Sequence, residues 1–317
     1  MKKNAKVDVI IPLYNNEQYI GRCVESLLMQ NYDNYKIIIV DDGSTDCSFD
    51  IALKYESEKV NIYRKANGGP SSARNFGIEH CSKDSEYLLF VDSDDIVSPD
   101  YVSTMVKNAA IDRLVICGIK HLHESDVSSL DILAPITEDV SIVLEKNVWQ
   151  NKHIIRRLPS GIYNPSWNKC YSLRLIQNNN LKFKDQFPED ILFNISYLDV
   201  CQEVCFIDAE LYYYIHREGS VSRKPKISLY EGYIDIQKYL YSKISTENHR
   251  YIEEFVYPQY LANTKRYLQT GNFVIPRQYW KNPYIKRAIS SHAPTCFGDG
   301  LIKYLFKWGW FKLLIML

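Results

Sequence analysis

Short apolar segments separated by helix-like segments fill the first 120 residues, and this pattern restricts the fold more than any other feature of the sequence. The segments predicted as buried strands are residues 7–13, 36–41, 60–63, 86–91 and 113–119. Between the first two, Ile20, Val24 and Leu27 recur at helical spacing. Buried strands that alternate with helices predict an α/β fold with a doubly wound, mostly parallel sheet.

The rest of the chain carries weaker patterns. Residues 120–145 lack a clear period and are predicted as a loop or edge region. Further predicted elements are helices at 172–178 and 189–198 and strands at 203–207 and 211–216. From about residue 226 the pattern is helical. We therefore expect a domain over 1–225, with halves 1–105 and 106–225, and a helical C-terminal region over 226–317.

Composition excludes several functional classes. The 38 Lys and Arg residues balance 38 Asp and Glu residues, so no global basic field exists to hold nucleic acid. The 46% hydrophobic and 24% charged content is ordinary for a globular domain. No signal peptide or run of 18 apolar residues is present, which predicts a cytoplasmic chain. The eight cysteines contain no C-x-x-C pair and are predicted to be buried thiols.

Polar clusters follow four of the predicted strands, at residues 12–15, 41–44, 67–75 and 92–95. A single cluster of this kind is ordinary turn chemistry. In open α/β sheets, however, ligands bind beyond the carboxyl ends of the strands. Four clusters at successive strand ends therefore predict one acidic, glycine-bearing site.

Two of the clusters suggest a cation and an anion as ligands. Asp92 and Asp94 point to the same side of an extended segment, and carboxylate oxygens suit Mg²⁺ or Mn²⁺ bridging to phosphate. The alternative is a solvated cluster capping the helix that Pro99 opens. The helix that begins at Pro70 offers N–H groups to an anion, and Arg74 reaches a phosphate or forms a surface salt bridge.

The ordered motifs resemble the family 2 glycosyltransferases, which have the GT-A fold. The segments that carry the resemblance are VDVIIPLYNNEQYI, SLLMQNY, KIIIVDDGSTD, NGGPSSARNFGI and YLLFVDSDD. The resemblance is clearest over residues 6–105 and weaker to about 223. It implies an inverting transferase that uses a nucleotide-sugar donor and a divalent cation, Mn²⁺ or Mg²⁺.

The resemblance also implies roles for individual residues of the donor half. Asp42 matches the position that contacts uracil, which favours a UDP-sugar, and Arg74 matches the basic residue near the diphosphate. The implied metal ligands are Asp94 first, then Asp92, with His216 as a further candidate. The residues implied in nucleotide-sugar binding are Pro12, Tyr14, Asn15, Glu17, Asp42, Gly69, Arg74, Asp92, Ser93 and Asp95.

The acceptor half matches the family less closely. Glu189 and Asp190 resemble its Glu-Asp pair, with Asp190 as the catalytic base and Glu189 positioning the acceptor. Their alternative is two acids in a first helical turn, favoured by the helix dipole. Trp167 is either an acceptor-side wall or a core residue. Residues 216–223 resemble a segment that closes over the donor, and His216 is either a metal ligand or an ordinary hydrogen-bonded side chain.

Residues 300–317 mix Lys with Trp, Phe and Leu, which predicts a helix lying in a membrane interface. The alternative is a helix packed on the catalytic domain or on another subunit. With the resemblance, this predicts a UDP-hexose or UDP-N-acetylhexosamine transferase in cell-surface polysaccharide synthesis. It would act on a glycan or lipid-linked oligosaccharide at the inner face of the membrane. The alternatives are a sugar nucleotidyltransferase, whose Gly-rich loop is absent after the first strand, and a non-catalytic nucleotide-sugar-binding module.

Overall fold

The computed structural model describes residues 4–125, 142–161, 163–217, 228–269 and 277–291. The chain divides into two compact units, which we call the sheet unit and the helical unit. The sheet unit comprises Met1–Val148, Pro165–Asp185 and Glu189–Glu218. The helical unit comprises Trp149–Asn164, Gln186–Pro188 and Gly219–Leu317.

Within the described residues, nine strands form one sheet in the sheet unit. They are β1 Val7–Leu13, β2 Tyr35–Asp41, β3 Val60–Arg64, β4 Tyr87–Phe90, β5 Ile96–Val97, β6 Arg113–His123, β7 Ile142–Lys146, β8 Lys169–Ser172 and β9 Glu203–His216. Their order is β3-β2-β1-β4-β8-β6-β9-β5, and β7 also pairs with β9. The pairs β1–β2, β2–β3, β1–β4 and β6–β9 are parallel, and the pairs β4–β8, β5–β9, β6–β8 and β7–β9 are antiparallel. The predicted α/β fold with a mostly parallel sheet is confirmed.

Helices connect the strands of the sheet unit and fill the described part of the helical unit. Those of the sheet unit are α1 Ile20–Leu28, α2 Ser48–Leu53, α3 Pro70–Glu79, α4 Tyr101–Lys107, α6 Leu173–Asn178 and α7 Glu189–Leu198. Those of the helical unit are α5 Lys152–Arg156, α8 Ser228–Lys243, α9 His249–Gln269, α10 Arg277–Trp280 and α11 Pro283–Ser291. Among these helices, none combines the length and apolar character needed to cross a membrane.

Four strands differ from the sequence prediction. The two strands predicted at 203–207 and 211–216 form the single strand β9, and the predicted fifth strand continues to His123 as β6. The register between them shifts on both sides of Gly118, which pairs with Glu210, whereas Cys117 pairs with Ile207. A bulge in β9 therefore absorbs the polar residues that interrupt its pattern. Residues 142–146, predicted as loop or edge, form the strand β7, and the two-residue strand β5 was not predicted.

The carboxyl ends of β1, β2 and β4 lie side by side, which sets the position of the polar clusters. These strands are buried along almost their whole length, as expected for a parallel sheet covered on both faces. Directly after β2, the N–H of Asp42 donates to the carbonyl of Leu13, the last residue of β1, at 2.8 Å. The residues after β4 begin alongside β1, because the N–H of Val91 donates to the carbonyl of Ile10. The predicted clusters therefore share one edge of the sheet.

Candidate active site

The loops after β1 and β2 are tied together by side-chain hydrogen bonds. The backbone N–H of Asn15 donates to the Ser44 hydroxyl at 3.0 Å, and the Asn15 side-chain oxygen accepts from the N–H of Thr45 at 2.8 Å. Asn15 adopts a left-handed φ of 48°, which asparagine tolerates better than most residues. Pro12 lies within β1, and Tyr14 is 47% exposed beside it.

Two predicted donor-binding acids hold loops in this structure. The Asp42 carboxylate accepts from the N–H groups of Gly68 and Gly69 and pairs with the Lys65 ammonium at 2.6 Å. Gly69 has a φ of 85°, which suits a residue without a side chain. The Glu17 carboxylate accepts from the N–H of Cys47 at 2.9 Å, just before α2. The roles of Asp42 and Glu17 in nucleoside binding stay predictions.

The acidic cluster after β4 comprises Asp92, Asp94 and Asp95. One carboxylate oxygen of each lies within 4.8 Å of the others, so the three could hold a metal ion. Asp95 is buried, and its oxygens accept from the Tyr212 hydroxyl at 2.8 Å and the Ile215 N–H at 2.9 Å. Asp95 is thus anchored to β9, whereas Asp92 and Asp94 keep part of their side chains exposed.

An arginine at the end of β9 covers Asp94. The Arg217 guanidinium lies 2.5 Å from the Asp94 carboxylate and also donates to the side-chain oxygen of Asn16 at 2.8 Å. The Asn16 amide in turn donates to the Ser93 hydroxyl at 2.6 Å. Asn16 was not singled out in the sequence, although it follows the predicted donor motif directly. These bonds link the loop after β1 to the acidic cluster.

Arg74 joins the donor and acceptor motifs. It lies in the second turn of α3 with 4% of its surface exposed. One terminal nitrogen lies 3.0 Å from Asp92, and the other lies 3.3 Å from Asp190 and 3.7 Å from Glu189. The structure therefore rejects the surface-salt-bridge alternative for Arg74. It also brings the predicted Glu-Asp pair, at the start of α7, to the acidic cluster.

Burial and mutual repulsion shift the pKa values of this group. Burial, followed by the negative charges of Asp94 and Asp190, raises the pKa of Asp92 to about 6, and the positive charge of Arg74 acts in the opposite direction. The burial is incomplete, because 28% of the Asp92 side chain is exposed. Burial and the neighbouring acids raise the pKa of Asp95 well above its usual value. Burial alone would lower the pKa of Arg74, but the charges of Asp190, Asp92 and Glu189 raise it. Arg74 is therefore charged at all ordinary pH values.

Ser166 and Lys169 also belong to the site, and the sequence pattern did not indicate them. The buried Ser166 hydroxyl donates to Asp190 Oδ1 at 3.0 Å. Lys169 is fully buried, and burial lowers its pKa to about 7, while the negative charge of Asp190 acts in the opposite direction. Lys169 lies two residues after Trp167, but nothing in the sequence there marks it as buried.

Trp167 packs in the interior next to the acidic cluster. It is 8% exposed and stacks on Tyr212 with ring centroids 4.2 Å apart and an interplanar angle of 22°. Its carbonyl accepts from the Tyr101 hydroxyl at 2.7 Å. Because Tyr212 also holds Asp95, Trp167 supports the cluster from the interior. Its contact with an acceptor stays a prediction.

His216 lies at the end of β9 and pairs with another histidine. A ring nitrogen of His216 lies 3.0 Å from His121 Nδ1, and the two rings stack with centroids 5.1 Å apart. The acidic group of the described residues contains the three aspartates without His216. Its role as a metal ligand stays a prediction. Residues 218–223 of the predicted closing segment, and the predicted interface helix at 300–317, lie outside the described residues.

The residues present fit a divalent cation. Asp92 and Asp94 offer hard carboxylate oxygens, and burial together with the neighbouring negative charges raises the pKa of Asp92, which a bound cation would oppose. Arg74 adds a fixed positive charge with two guanidinium nitrogens that are buried without a hydrogen-bond partner in the described residues. The arrangement can bind a metal-complexed anion next to a carboxylate that accepts a proton.

Comparisons with known proteins agree with this geometry. Residues 8–171 match the family described as glycosyl transferase family 2. A relative named EpsH from Bacillus subtilis is 32% identical over 240 residues, which cover 71% of this chain and 67% of EpsH. The poly(ribitol-phosphate) beta-N-acetylglucosaminyltransferase TarS of Staphylococcus aureus is 30% identical over 68% of this chain and 36% of TarS. The chain thus spans about a third of TarS.

Solved structures resemble the fold over nearly the whole chain. TarS residues 1–349 in complex with UDP-GlcNAc match with a TM-score of 0.63 at 20% identity, covering 98% of this chain and 90% of that structure. The mannosyltransferase PcManGT from Pyrobaculum calidifontis, in complex with GDP-Man and Mn²⁺, matches with a TM-score of 0.56 at 13% identity, covering 99% and 84%. At these identities the likeness shows the fold alone, which is GT-A-like.

The fold and the acidic site define a nucleotide-sugar-dependent glycosyltransferase of the GT-A class. The chain belongs to glycosyl transferase family 2.

Proposed function

We propose that this chain transfers one sugar from a UDP-sugar to a hydroxyl group of a glycan or lipid-linked oligosaccharide, with inversion at the anomeric carbon. The observation that carries the proposal is the buried Arg74, which contacts Asp92 of the acidic cluster on one side and Asp190 on the other. Residues implied in donor binding and in acceptor activation thus meet at one guanidinium group.

Asp190 is the base in this proposal. It lies at the start of α7, where Arg74 and the Ser166 hydroxyl hold its carboxylate. An inverting transfer needs one base that takes the proton from the acceptor hydroxyl as that oxygen attacks the anomeric carbon. Glu189, 3.7 Å from Arg74, lies beside the base and positions the acceptor.

The donor lies along the edge formed by the loops after β1, β2 and β4. Two nitrogens of the Arg74 guanidinium, which make no hydrogen bond within the described residues, donate to oxygens of the diphosphate, because a charged guanidinium is a strong donor to phosphate. Asp92 and Asp94 would hold the cation, Mn²⁺ or Mg²⁺, which would neutralise negative charge growing on the departing diphosphate. Asp42 and Tyr14 contact the uracil ring of the donor. Asp42 first exchanges some of its hydrogen bonds with the N–H groups of Gly68 and Gly69.

The relatives support the choice of donor. TarS is named as a beta-N-acetylglucosaminyltransferase and has been solved with UDP-GlcNAc, and PcManGT has been solved with Mn²⁺. A UDP-hexose or UDP-N-acetylhexosamine is therefore the proposed donor, and cell-surface polysaccharide synthesis is the proposed setting.

Membrane contact is part of the proposal, because lipid-linked acceptors lie at a membrane. The basic and aromatic sequence of residues 300–317 suits an interfacial helix at the inner face of the membrane. Deletion of residues 300–317 should move the protein from the membrane fraction to the supernatant. An unchanged distribution would contradict the membrane part and leave the transferase part intact.

The test of the activity is turnover of a panel of UDP-glucose, UDP-galactose, UDP-GlcNAc and UDP-GalNAc, with release of UDP as the signal. Water serves as the acceptor, so the natural acceptor need not be known. One sugar should be hydrolysed faster than the others, and Asp190→Asn should reduce that rate by at least a hundredfold. Full activity of Asp190→Asn would refute its role as base.

A further inference from the structure

We infer that Ser166 is a positioning residue for Asp190, and that the buried ammonium of Lys169 holds Ser166 in place. Together they direct one oxygen of the Asp190 carboxylate, Oδ2, toward the acceptor. The inference rests on the proposed function, because that proposal makes Asp190 the base. It adds which atom takes the proton and which residues aim it.

The contacts of Asp190 are one-sided. The Ser166 hydroxyl donates to Oδ1 at 3.0 Å, and the Arg74 guanidinium lies 3.3 Å from the same oxygen. Within the described residues, the side-chain hydrogen bond and the ion-pair distance given above both involve Oδ1 of Asp190. The carboxylate is 23% exposed, so a ligand can approach it. Because Oδ1 accepts from Ser166 and faces the Arg74 guanidinium, Oδ2 is the oxygen that we assign to accept the proton of an incoming hydroxyl.

Ser166 is itself held from both sides. It is fully buried, and its carbonyl accepts from the Tyr171 hydroxyl at 3.2 Å. The preceding carbonyl, of Pro165, accepts from the Asn194 amide at 3.0 Å and from the Lys169 ammonium at 2.5 Å. The hydroxyl of Ser166 therefore projects from a backbone segment that cannot shift without breaking buried hydrogen bonds.

Lys169 fastens the other end of the same segment. Its ammonium also donates to the side-chain oxygen of Asn168 at 2.7 Å, and the Asn168 amide donates to the carbonyl of Cys117 in β6 at 2.8 Å. A fully buried lysine is rare unless its charge is matched. Here the ammonium bridges residues 165 and 168, on either side of Ser166 and Trp167. The two hydrogen bonds that the Lys169 side-chain nitrogen donates thus fix the segment that carries the hydroxyl.

Positioning of Asp190 and binding of the donor should affect different kinetic constants, kcat for the first and the donor KM for the second. Ser166 contacts Asp190, and Lys169 contacts the backbone segment that carries Ser166. Neither is among the residues proposed to hold the nucleotide. Loss of the Ser166 hydroxyl frees the carboxylate of Asp190 to rotate, and small misplacements of a reacting group can lower rates by up to about a hundredfold. The donor KM should be unaffected, because no donor contact is lost.

The experiment compares Ser166→Ala with the wild type, using the UDP-sugar that the panel above selects. We expect kcat to fall about tenfold to a hundredfold, the donor KM to stay within about twofold, and the melting shift caused by UDP and Mn²⁺ to be unchanged. Ser166→Thr, which keeps the hydroxyl, should recover most of kcat. Lys169→Met, which removes the ammonium, should show the same split between kcat and KM.

Ser172→Ala is the matched control. Ser172 is an equally buried serine at the end of β8, and its hydroxyl caps α6 by accepting from the Leu175 N–H. Its loss should lower the melting temperature slightly and leave kcat at the wild-type level. This control separates loss of a buried hydroxyl from loss of this particular hydroxyl.

Three outcomes would overturn the inference. Wild-type kcat in Ser166→Ala would do so directly, provided that Asp190→Asn is inactive. The second outcome is a Ser166→Thr protein that folds and binds UDP normally but keeps the low kcat of Ser166→Ala. That result would show that loss of the hydroxyl does not cause the fall in kcat. A proportional rise in donor KM would indicate general damage to the site. If Asp190→Asn keeps full activity, the proposed base is wrong instead, so the two failures are distinguishable.

Discussion

Replacing Asp92 with asparagine should stabilise the metal-free protein at neutral pH, although it removes a residue of the proposed metal site. The pKa of Asp92 rises from 3.8 to about 6, mainly through burial and with help from Asp94 and Asp190. Each pKa unit corresponds to about 1.36 kcal/mol, so the ionised carboxylate destabilises the fold by roughly 3 kcal/mol. Asparagine resembles the protonated acid and lacks this penalty.

The sign of the pH dependence follows from proton linkage. Between pH 3.8 and about 6 the folded state binds the proton more tightly than the unfolded state, so stability falls as pH rises. The penalty is complete above pH 6 and disappears below about pH 4. Asp92→Asn should therefore melt several degrees higher than the wild type at pH 7.5, and the difference should shrink toward zero at pH 4.

Thermal melting in EDTA at the two pH values measures this effect. Asp84→Asn is the control, because Asp84 is an exposed acid paired with Lys6, and its loss should lower stability only slightly. A lower melting temperature for Asp92→Asn than for the wild type at pH 7.5 would refute the reasoning. An equal difference in melting temperature at both pH values would also refute it, because an effect that does not depend on the charge of Asp92 would not change with pH.

Two further predictions concern the metal and the packing of the sheet unit. Arg217→Gln should tighten Mn²⁺ binding about fivefold in the absence of nucleotide, because the guanidinium 2.5 Å from Asp94 competes with a cation. The Mn²⁺ electron spin resonance signal measures this affinity, and an unchanged affinity would contradict the competition. Gly77→Ala should lower the melting temperature by several degrees, because the added carbon would lie 2.6 Å from the Ile10 side chain and overpacking costs about 1–3 kcal/mol. Gly21→Ala, whose nearest neighbour would be 3.3 Å away at the end of a tyrosine, is its control and should melt close to the wild type.

The sequence predicted the parts of the fold that depend on local pattern. The strands β1, β2 and β4 are mostly apolar, with Asp8 the one charged residue inside β1, and each is followed by polar residues, so both the strands and the shared edge of the sheet could be inferred. Strand β9 was divided in two because its period breaks at residues 208–210. The bulge opposite Gly118 restores pairing there, and a bulge depends on the partner strand, which the local pattern does not contain.

The site was predictable in its residue types and less so in its contacts. Asp92, Asp94, Arg74 and Asp190 were identified through motif resemblance, but the meeting of Asp92 and Asp190 at the Arg74 guanidinium depends on the tertiary placement of α7. Ser166 lies in a weakly patterned region, and a serine has many ordinary uses. Its contact with Asp190 therefore needed the structure.

The central claim is that the edge formed after β1, β2 and β4 binds a uridine diphosphate through a divalent cation. It is tested most directly by melting the protein with UDP, GDP, CDP and dTDP, each with and without Mn²⁺. A ligand at 100 times its dissociation constant adds about 2.7 kcal/mol of stability, which a melting curve detects. The account predicts a selective shift with UDP that requires Mn²⁺ and is lost in Asp94→Ala. A UDP shift that persists in Asp94→Ala, or the absence of a shift with any nucleotide, would contradict it.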